Sequence, residues 1–110
     1  MQRTVLVVDD ERNMLMVTQM ALEEAGHRVL TAASGEEAIP LLRDPDLAVI
    51  LSDLKMPGMS GEEFIARCQQ ERPEVPVIVV TAFGSIRSAI ECIQAGASDY
   101  LTKPFDPEDL

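Results

Sequence analysis

The run Ala48–Val49–Ile50–Leu51–Ser52–Asp53 leads four apolar residues into a serine and a carboxylate, and Leu54–Lys55–Met56–Pro57–Gly58 follows it. The apolar residues read as a buried strand, and the Pro-Gly pair reads as the turn beyond it. An acid at the end of a buried strand, just before a turn, is well placed for chemistry. The plainer alternative is that Asp53 only caps that turn, as many loop aspartates do. The choice between the two depends on where the other polar residues fall.

Upstream, Val5–Leu6–Val7–Val8 is a second continuous apolar, β-branched run, expected to be buried on both faces and ended by Asp9–Asp10. From Glu11 to Ala25 the apolar positions Met14, Val17, Thr18, Ala21, Leu22 and Ala25 recur at three and four, predicting a helix stopped by Gly26. Arg28–Ala32 is a less apolar strand, expected at a sheet edge. Ser34 with Glu37 forms a capping box for a helix reaching about Leu42, which Pro40 should kink or shorten. Downstream, Ser60 caps a third helix with Phe64, Ile65 and Cys68 inward. Val77–Val80 is a fully buried fourth strand ending in Thr81–Ala82. Ser85–Ala95 is a fourth helix with Ile86, Ala89, Ile90 and Ile93 inward and Gly96 as its stop, and Ser98–Thr102 is a short fifth strand. Five alternations of strand and helix give an α/β fold, a doubly wound, five-stranded parallel sheet. Asp106, Pro107, Glu108 and Asp109 carry the signals of a helix start, so a fifth helix is announced and largely missing. Residues 1–110 are therefore expected to be one domain from a longer protein. An apolar strip beside the first helix should then lie bare and favour association.

The composition narrows the functional classes. Nine basic against nineteen acidic residues give a net charge of −10, and the pI is near 4.3. Such a surface argues against direct nucleic-acid binding by this domain. No apolar run approaches the roughly 20 residues of a membrane span, and no signal peptide is visible. Cys68 and Cys92 lack CxxC spacing and read as packing residues of a protein in a reducing cytoplasm. A single histidine, His27, leaves no His-based metal site or catalytic triad.

In a parallel sheet the C-terminal strand ends share one edge, where ligands of such folds bind. Those ends carry Asp9, Asp10, Asp53, Thr81 and Lys103. Three clustered carboxylates need a cation, and all-oxygen ligation suits Mg²⁺. A metal, a spare carboxylate, a lysine and a threonine suit phosphoryl transfer to a carboxylate. Neither GxxxxGK[ST] nor GxGxxG is present, which weakens a nucleotide-binding reading.

Val7–Val8–Asp9–Asp10–Glu11, Ser52–Asp53–Leu54–Lys55–Met56–Pro57–Gly58–Met59, Thr81–Ala82–Phe83–Gly84 and Gly96–Ala97–Ser98–Asp99–Tyr100–Leu101–Thr102–Lys103–Pro104–Phe105 stand in this order. With them the chain resembles, over its whole length, the receiver domain of two-component response regulators, the CheY-like superfamily. Within that family it is most like the NtrC-type enhancer-binding activators. The resemblance implies strand order 2-1-3-4-5 and a signalling switch, not an enzyme, although such a domain assists its own phosphorylation and dephosphorylation. It implies that Asp53 accepts a phosphoryl group from a sensor histidine kinase. Asp10, Asp53 and the backbone carbonyl of Lys55 would ligate Mg²⁺, with Asp9 acting through a bound water. Lys103 would pair with the phosphoryl oxygens, and its bond to Pro104 is expected to be cis. Thr81 would hydrogen-bond the phosphoryl group, and Tyr100 would turn inward, altering the surface of the fourth helix and fifth strand. An NtrC-type output would be a C-terminal ATPase and DNA-binding domain, serving transcription regulation; a homodimer through the fourth-helix face is left open. Ser60 departs from the more usual aspartate of the family. Lys55 and Phe83 would border the attacking water's path and set the lifetime of the phosphorylated state.

Other readings remain for comparison. A Mg²⁺-dependent phosphatase with an aspartyl-phosphate intermediate usually needs an acid two residues past the nucleophile, where this chain has Lys55. A flavodoxin-like cofactor binder would want aromatic stacking, and the chain has one Tyr and no Trp. A stand-alone CheY-like adaptor or a degenerate receiver would share the fold, but a degenerate one would not keep all the acceptor-site residues.

Overall fold

The computed structural model describes residues 3–53, 58–59, 61–81, 93–94 and 96–102. The first strand, β1, is Thr4–Val8, and every residue in it is buried. Its alternate side chains serve two cores. Leu6 and Val8 join Leu42, Ile50, Phe64, Ile65, Cys68, Val77 and Val79 on one face of the sheet. Val5 and Val7 join Leu22, Leu51 and Val80 on the other. A strand buried on both faces needs an unbroken apolar run, and this is why the residues do not alternate with polar ones.

The remaining elements follow in chain order: α1, Arg12–Glu24; β2, Arg28–Ala32; α2, Gly35–Ala38, continued by a 3-10 turn, Ile39–Arg43; β3, Leu47–Asp53; α3, Gly61–Glu71; β4, Val77–Thr81; and β5, Asp99–Thr102. The strands form one five-stranded sheet in the order β2-β1-β3-β4-β5, parallel throughout. The flavodoxin-like order expected from the resemblance is therefore the observed one. The less apolar β2 lies at an edge, as its composition suggested.

Local signals explain the boundaries. Gly26 adopts φ +97°, its N–H donates to the Glu23 carbonyl, and the His27 N–H donates to the Leu22 carbonyl. This pair of bonds is the Schellman ending that a glycine permits. The Ser34 hydroxyl accepts a hydrogen bond from the Glu37 N–H at 3.2 Å and starts α2. Pro40 has no N–H to return to the preceding turn, so the α-helix ends at Ala38 and the chain continues as a 3-10 turn. Phe64, Ile65 and Cys68 are all fully buried on α3. Burying a side chain the size of Phe64 contributes about 3 kcal/mol.

Two inward assignments are corrected. Val17 on α1 is 60% exposed, with Met16 and Met20 beside it, while Leu15 packs against the core instead. Leu22 is the buried residue of α1, and Leu15 and Thr18 are half-buried beside it along with Met14 and Ala21, so the inward stripe is shifted toward Leu15 and away from Val17. The cause is that α1 carries more apolar residues than one sheet face can cover, so the sequence offers two overlapping stripes. Ile93 is also exposed, at 49%. It sits in the last turn before Gly96, whose N–H bonds to the Ile93 carbonyl, where the helix is already ending. A smaller adjustment concerns β4, in which Ile78 is only half-buried. The rest of the fourth helix, the fifth helix start, the Ser60 cap, Cys92 and the Lys103–Pro104 bond lie outside the described residues.

Candidate functional site: an acidic cluster at the C-terminal sheet edge

The site is a consequence of strand register. Residues of β1 and β3 pair in parallel, with Val7 opposite Leu51 and Val8 opposite Ser52. Asp9, the next residue, therefore stands beside Asp53. The Asp9 N–H extends the ladder by donating to the Ala32 carbonyl at 3.1 Å. Its Oδ1 accepts the Glu11 N–H at 3.0 Å, turning the chain toward α1. Asp9 is buried, Asp53 is half-buried and Asp10 is exposed. The Ser52 hydroxyl donates to the Asp53 carbonyl at 3.1 Å, tying down the backbone of the central acid.

Asp9, Asp10 and Asp53 each offer a carboxylate oxygen, and these oxygens lie within 4.8 Å of one another. Such spacing leaves room for a hard cation with an all-oxygen shell, and charge balance favours one, because three carboxylates this close repel. A cavity of about 10 Å³ opens there among Val7, Val8, Asp9, Thr18, Leu51, Ser52, Asp53 and Val80, room for about one water. A larger cavity of about 250 Å³ opens elsewhere, lined by Arg3, Val5, His27, Ala48, Val49, Pro76 and Ile78. Among the described residues that line it there is no carboxylate, and it lies at the other end of the strands, so volume alone does not mark the reactive edge.

The other expected site residues divide. In β4, Val80 pairs with Asp53, which places Thr81 one residue further along the same edge. Thr81 pairs with Thr102 in β5, and Tyr100 pairs with Val79. The backbone thus brings Thr81 to the acidic edge and Tyr100 into the neighbouring edge strand. Their side chains, along with Lys55 and Lys103, lie outside the described residues.

One feature escaped the sequence reading. The Met59 N–H donates to Glu36 Oε1 at 2.8 Å, across 23 residues. Gly58 has φ +77°, and a Cβ there would stand 2.8 Å from Glu36 Oε2. The first turn of α2 therefore grips the segment that leaves Asp53. A glutamate in the first turn of a helix is ordinary in sequence, so nothing marked this one. The thiol of Cys68 behaves as a core group: burial, reinforced by the nearby Glu71 charge, pushes it up from 9.0 to about 12.

Comparison with known proteins agrees with this geometry. The sequence profile of the response regulator receiver domain matches residues 5–110. The DNA-binding transcriptional regulator NtrC of Salmonella typhimurium is 39% identical over 110 residues, covering 99% of this chain and 24% of that protein. Response regulator protein FleR of Pseudomonas aeruginosa is 34% identical over 110 residues, covering all of this chain and 23% of that protein. The chain thus spans about a quarter of the length of these relatives. A solved response regulator from Burkholderia pseudomallei, with a phosphorylated aspartic acid, calcium ion and citrate, superimposes with a TM-score of 0.90 at 30% identity. That match covers 97% of this chain and 63% of the other. Among the described residues, no helix is long and apolar enough to cross a membrane.

Proposed function

The chain belongs to the response regulator receiver domain family, and on that premise we propose that Asp53 is its phosphoacceptor, modified by a sensor histidine kinase in the cytoplasm. The observation that carries this reading is the convergence of the Asp9, Asp10 and Asp53 carboxylates within 4.8 Å at the C-terminal edge of the sheet. The donor set fits Mg²⁺, which takes oxygen ligands and keeps several waters. Asp10, Asp53 and the Lys55 carbonyl would hold it, with Asp9 reaching it through a water. When bound, the ion neutralises charge on the transferring phosphoryl oxygens.

The chain's own groups have distinct tasks. A carboxylate oxygen of Asp53 attacks the phosphorus in line, and the bond from phosphorus to the donor breaks with its electron pair leaving on the donor. Lys103 pairs with the phosphoryl oxygens after transfer. Thr81 hydrogen-bonds the new group, and Tyr100 follows it inward, which converts a local charge change into a different surface around β5. The phosphorylated aspartic acid and calcium ion in the Burkholderia pseudomallei relative support this assignment by analogy. The relative named a DNA-binding transcriptional regulator, of which this chain covers 24%, supports an output in transcription regulation; the output proposed here is a C-terminal ATPase with a DNA-binding domain, and a stand-alone adaptor is the alternative.

Incubation with Mg²⁺ and acetyl phosphate, followed by intact-mass measurement, tests the proposal. The expected result is one added phosphoryl group on the wild type and none on Asp53→Asn. Equal modification of both proteins, or of neither, would overturn it.

A further inference from the structure

We infer that Gln69, in the last turn of α3, is a latch on the joint leading into β5 and sets how often this edge strand opens from the sheet. Among the described strands, β5 pairs with β4 alone, so a single ladder holds it. The joint before it is held at three points. Ala97 is buried in the same core as Phe64, Ile65 and Cys68 of α3. The Ser98 N–H donates to the Val77 carbonyl at 2.8 Å, starting the ladder. The Gly96 carbonyl accepts a hydrogen bond from Gln69 Nε2 at 2.8 Å, across 27 residues.

The backbone at Gly96 is shaped to this contact. Gly96 has φ +123°, and a Cβ there would lie 2.5 Å from Gln69 Cγ and 3.1 Å from Gln69 Cδ. The glutamine stem therefore lies directly against the backbone that its amide bonds, and glycine serves both the conformation and the close approach. Gln69 follows Cys68 and stands one turn beyond Ile65, both fully buried, so the packing of α3 fixes the point from which the amide reaches. Alanine buries only one methyl group, which leaves the Gln69 and Ser98 hydrogen bonds a large share of the joint's hold. A four-residue edge strand held by so few contacts is the kind of unit that opens without the rest of the fold, and its opening must break the Gln69 bond. One consequence rests on the functional reading above. The surroundings of β5 are what phosphorylation is proposed to alter, so a latch there would set the population of the rearranged state before any modification.

Amide hydrogen exchange, followed residue by residue by NMR in the unmodified protein without added metal, tests the latch. In the wild type, Ser98 and the β5 amides should exchange with a smaller opening free energy than Val5–Val8 of β1, which marks a separate opening. Gln69→Met keeps a stem of similar length and loses the donor, while Gln69→Glu keeps the shape and puts an acceptor in its place. Losing one neutral hydrogen bond should speed exchange at Ser98 and in β5 roughly fivefold in each variant. Unchanged exchange there in either variant overturns the latch. A wild type in which β5 and β1 exchange with the same opening free energy also overturns it, because the strand would then open only with the whole fold. Neither result involves Asp53. A protein that acetyl phosphate never modifies overturns the phosphoacceptor reading and leaves the latch in place.

Discussion

Replacing Asp10 by asparagine should stabilise the protein in the absence of divalent cations and remove its response to Mg²⁺. The carboxylate oxygens of Asp9, Asp10 and Asp53 lie within 4.8 Å of one another. Two unit charges at that separation repel by about 0.9 kcal/mol in water and about 3.5 kcal/mol at an effective dielectric of 20. Asp10 is exposed, so the lower figure governs its pairs. Removing its charge relieves two such pairs, about 2 kcal/mol in total. For a domain of this size that shift corresponds to a rise in Tm of roughly 9 °C. The cluster is tighter than the Debye length of about 10 Å at 0.1 M salt, so added NaCl should reduce the difference without erasing it. With Mg²⁺ at about 100 times its Kd the wild type should gain about 2.7 kcal/mol, whereas Asp10→Asn should gain far less. Thermal unfolding followed by circular dichroism, in EDTA and then in Mg²⁺, gives all four values. An Asp10→Asn protein that melts at or below the wild type in EDTA would refute the repulsion argument. Equal responses of the two proteins to Mg²⁺ would remove Asp10 from the metal site.

Two further outcomes concern the scaffold. Gly96 has φ +123°, its carbonyl accepts a hydrogen bond from Gln69 Nε2 at 2.8 Å, and an added Cβ would lie 2.5 Å from Gln69 Cγ. Gly96→Ala should therefore cost about 2–4 kcal/mol in urea unfolding; adding Gln69→Ala should recover the part due to the clash, and no recovery would leave backbone strain as the whole cost. Burial, aided by the Glu71 charge, pushes the Cys68 thiol from 9.0 to about 12, so the folded state holds that proton more tightly than the unfolded one. Its stabilising contribution is complete below pH 9.0 and is lost as pH rises toward about 12. Cys68→Ala should show a shallower alkaline decline than wild type over that window, and parallel declines would contradict the assignment.

Much of this fold is legible in the sequence because its strands are buried on both faces. Val5–Val8 and Val77–Val80 leave little choice of conformation, and Gly26, Ser34 and Pro40 punctuate the chain by local backbone chemistry that needs no tertiary knowledge. The rotation of α1 was not legible for the opposite reason. Met14, Leu15, Met16, Val17 and Met20 offer more apolar surface than one stripe requires, and only the packed sheet selects Leu15 over Val17. The acids were found because strand ends in a parallel sheet share an edge. Glu36 was not found, because its partner is a backbone N–H 23 residues away, and backbone donors leave no mark in a sequence.

The dependence of the acidic site on the core can be stated more strongly. Asp9 meets Asp53 because Val8 pairs with Ser52, and a slip of one residue between β1 and β3 would send alternate side chains to the opposite face. In most half-buried sheets such a slip is resisted by one face only. Here Leu6 and Val8 fill one core while Val5 and Val7 fill the other, so both faces would lose their packing together. Three mutually repelling carboxylates oppose the register, by a few kcal/mol at most by the Coulomb estimate above. Several fully buried side chains support it, each contributing about 1.5–3 kcal/mol. The packing term wins by a wide margin. Charge in the cluster can therefore change, by metal binding or by modification of Asp53, without threatening the register that assembles it.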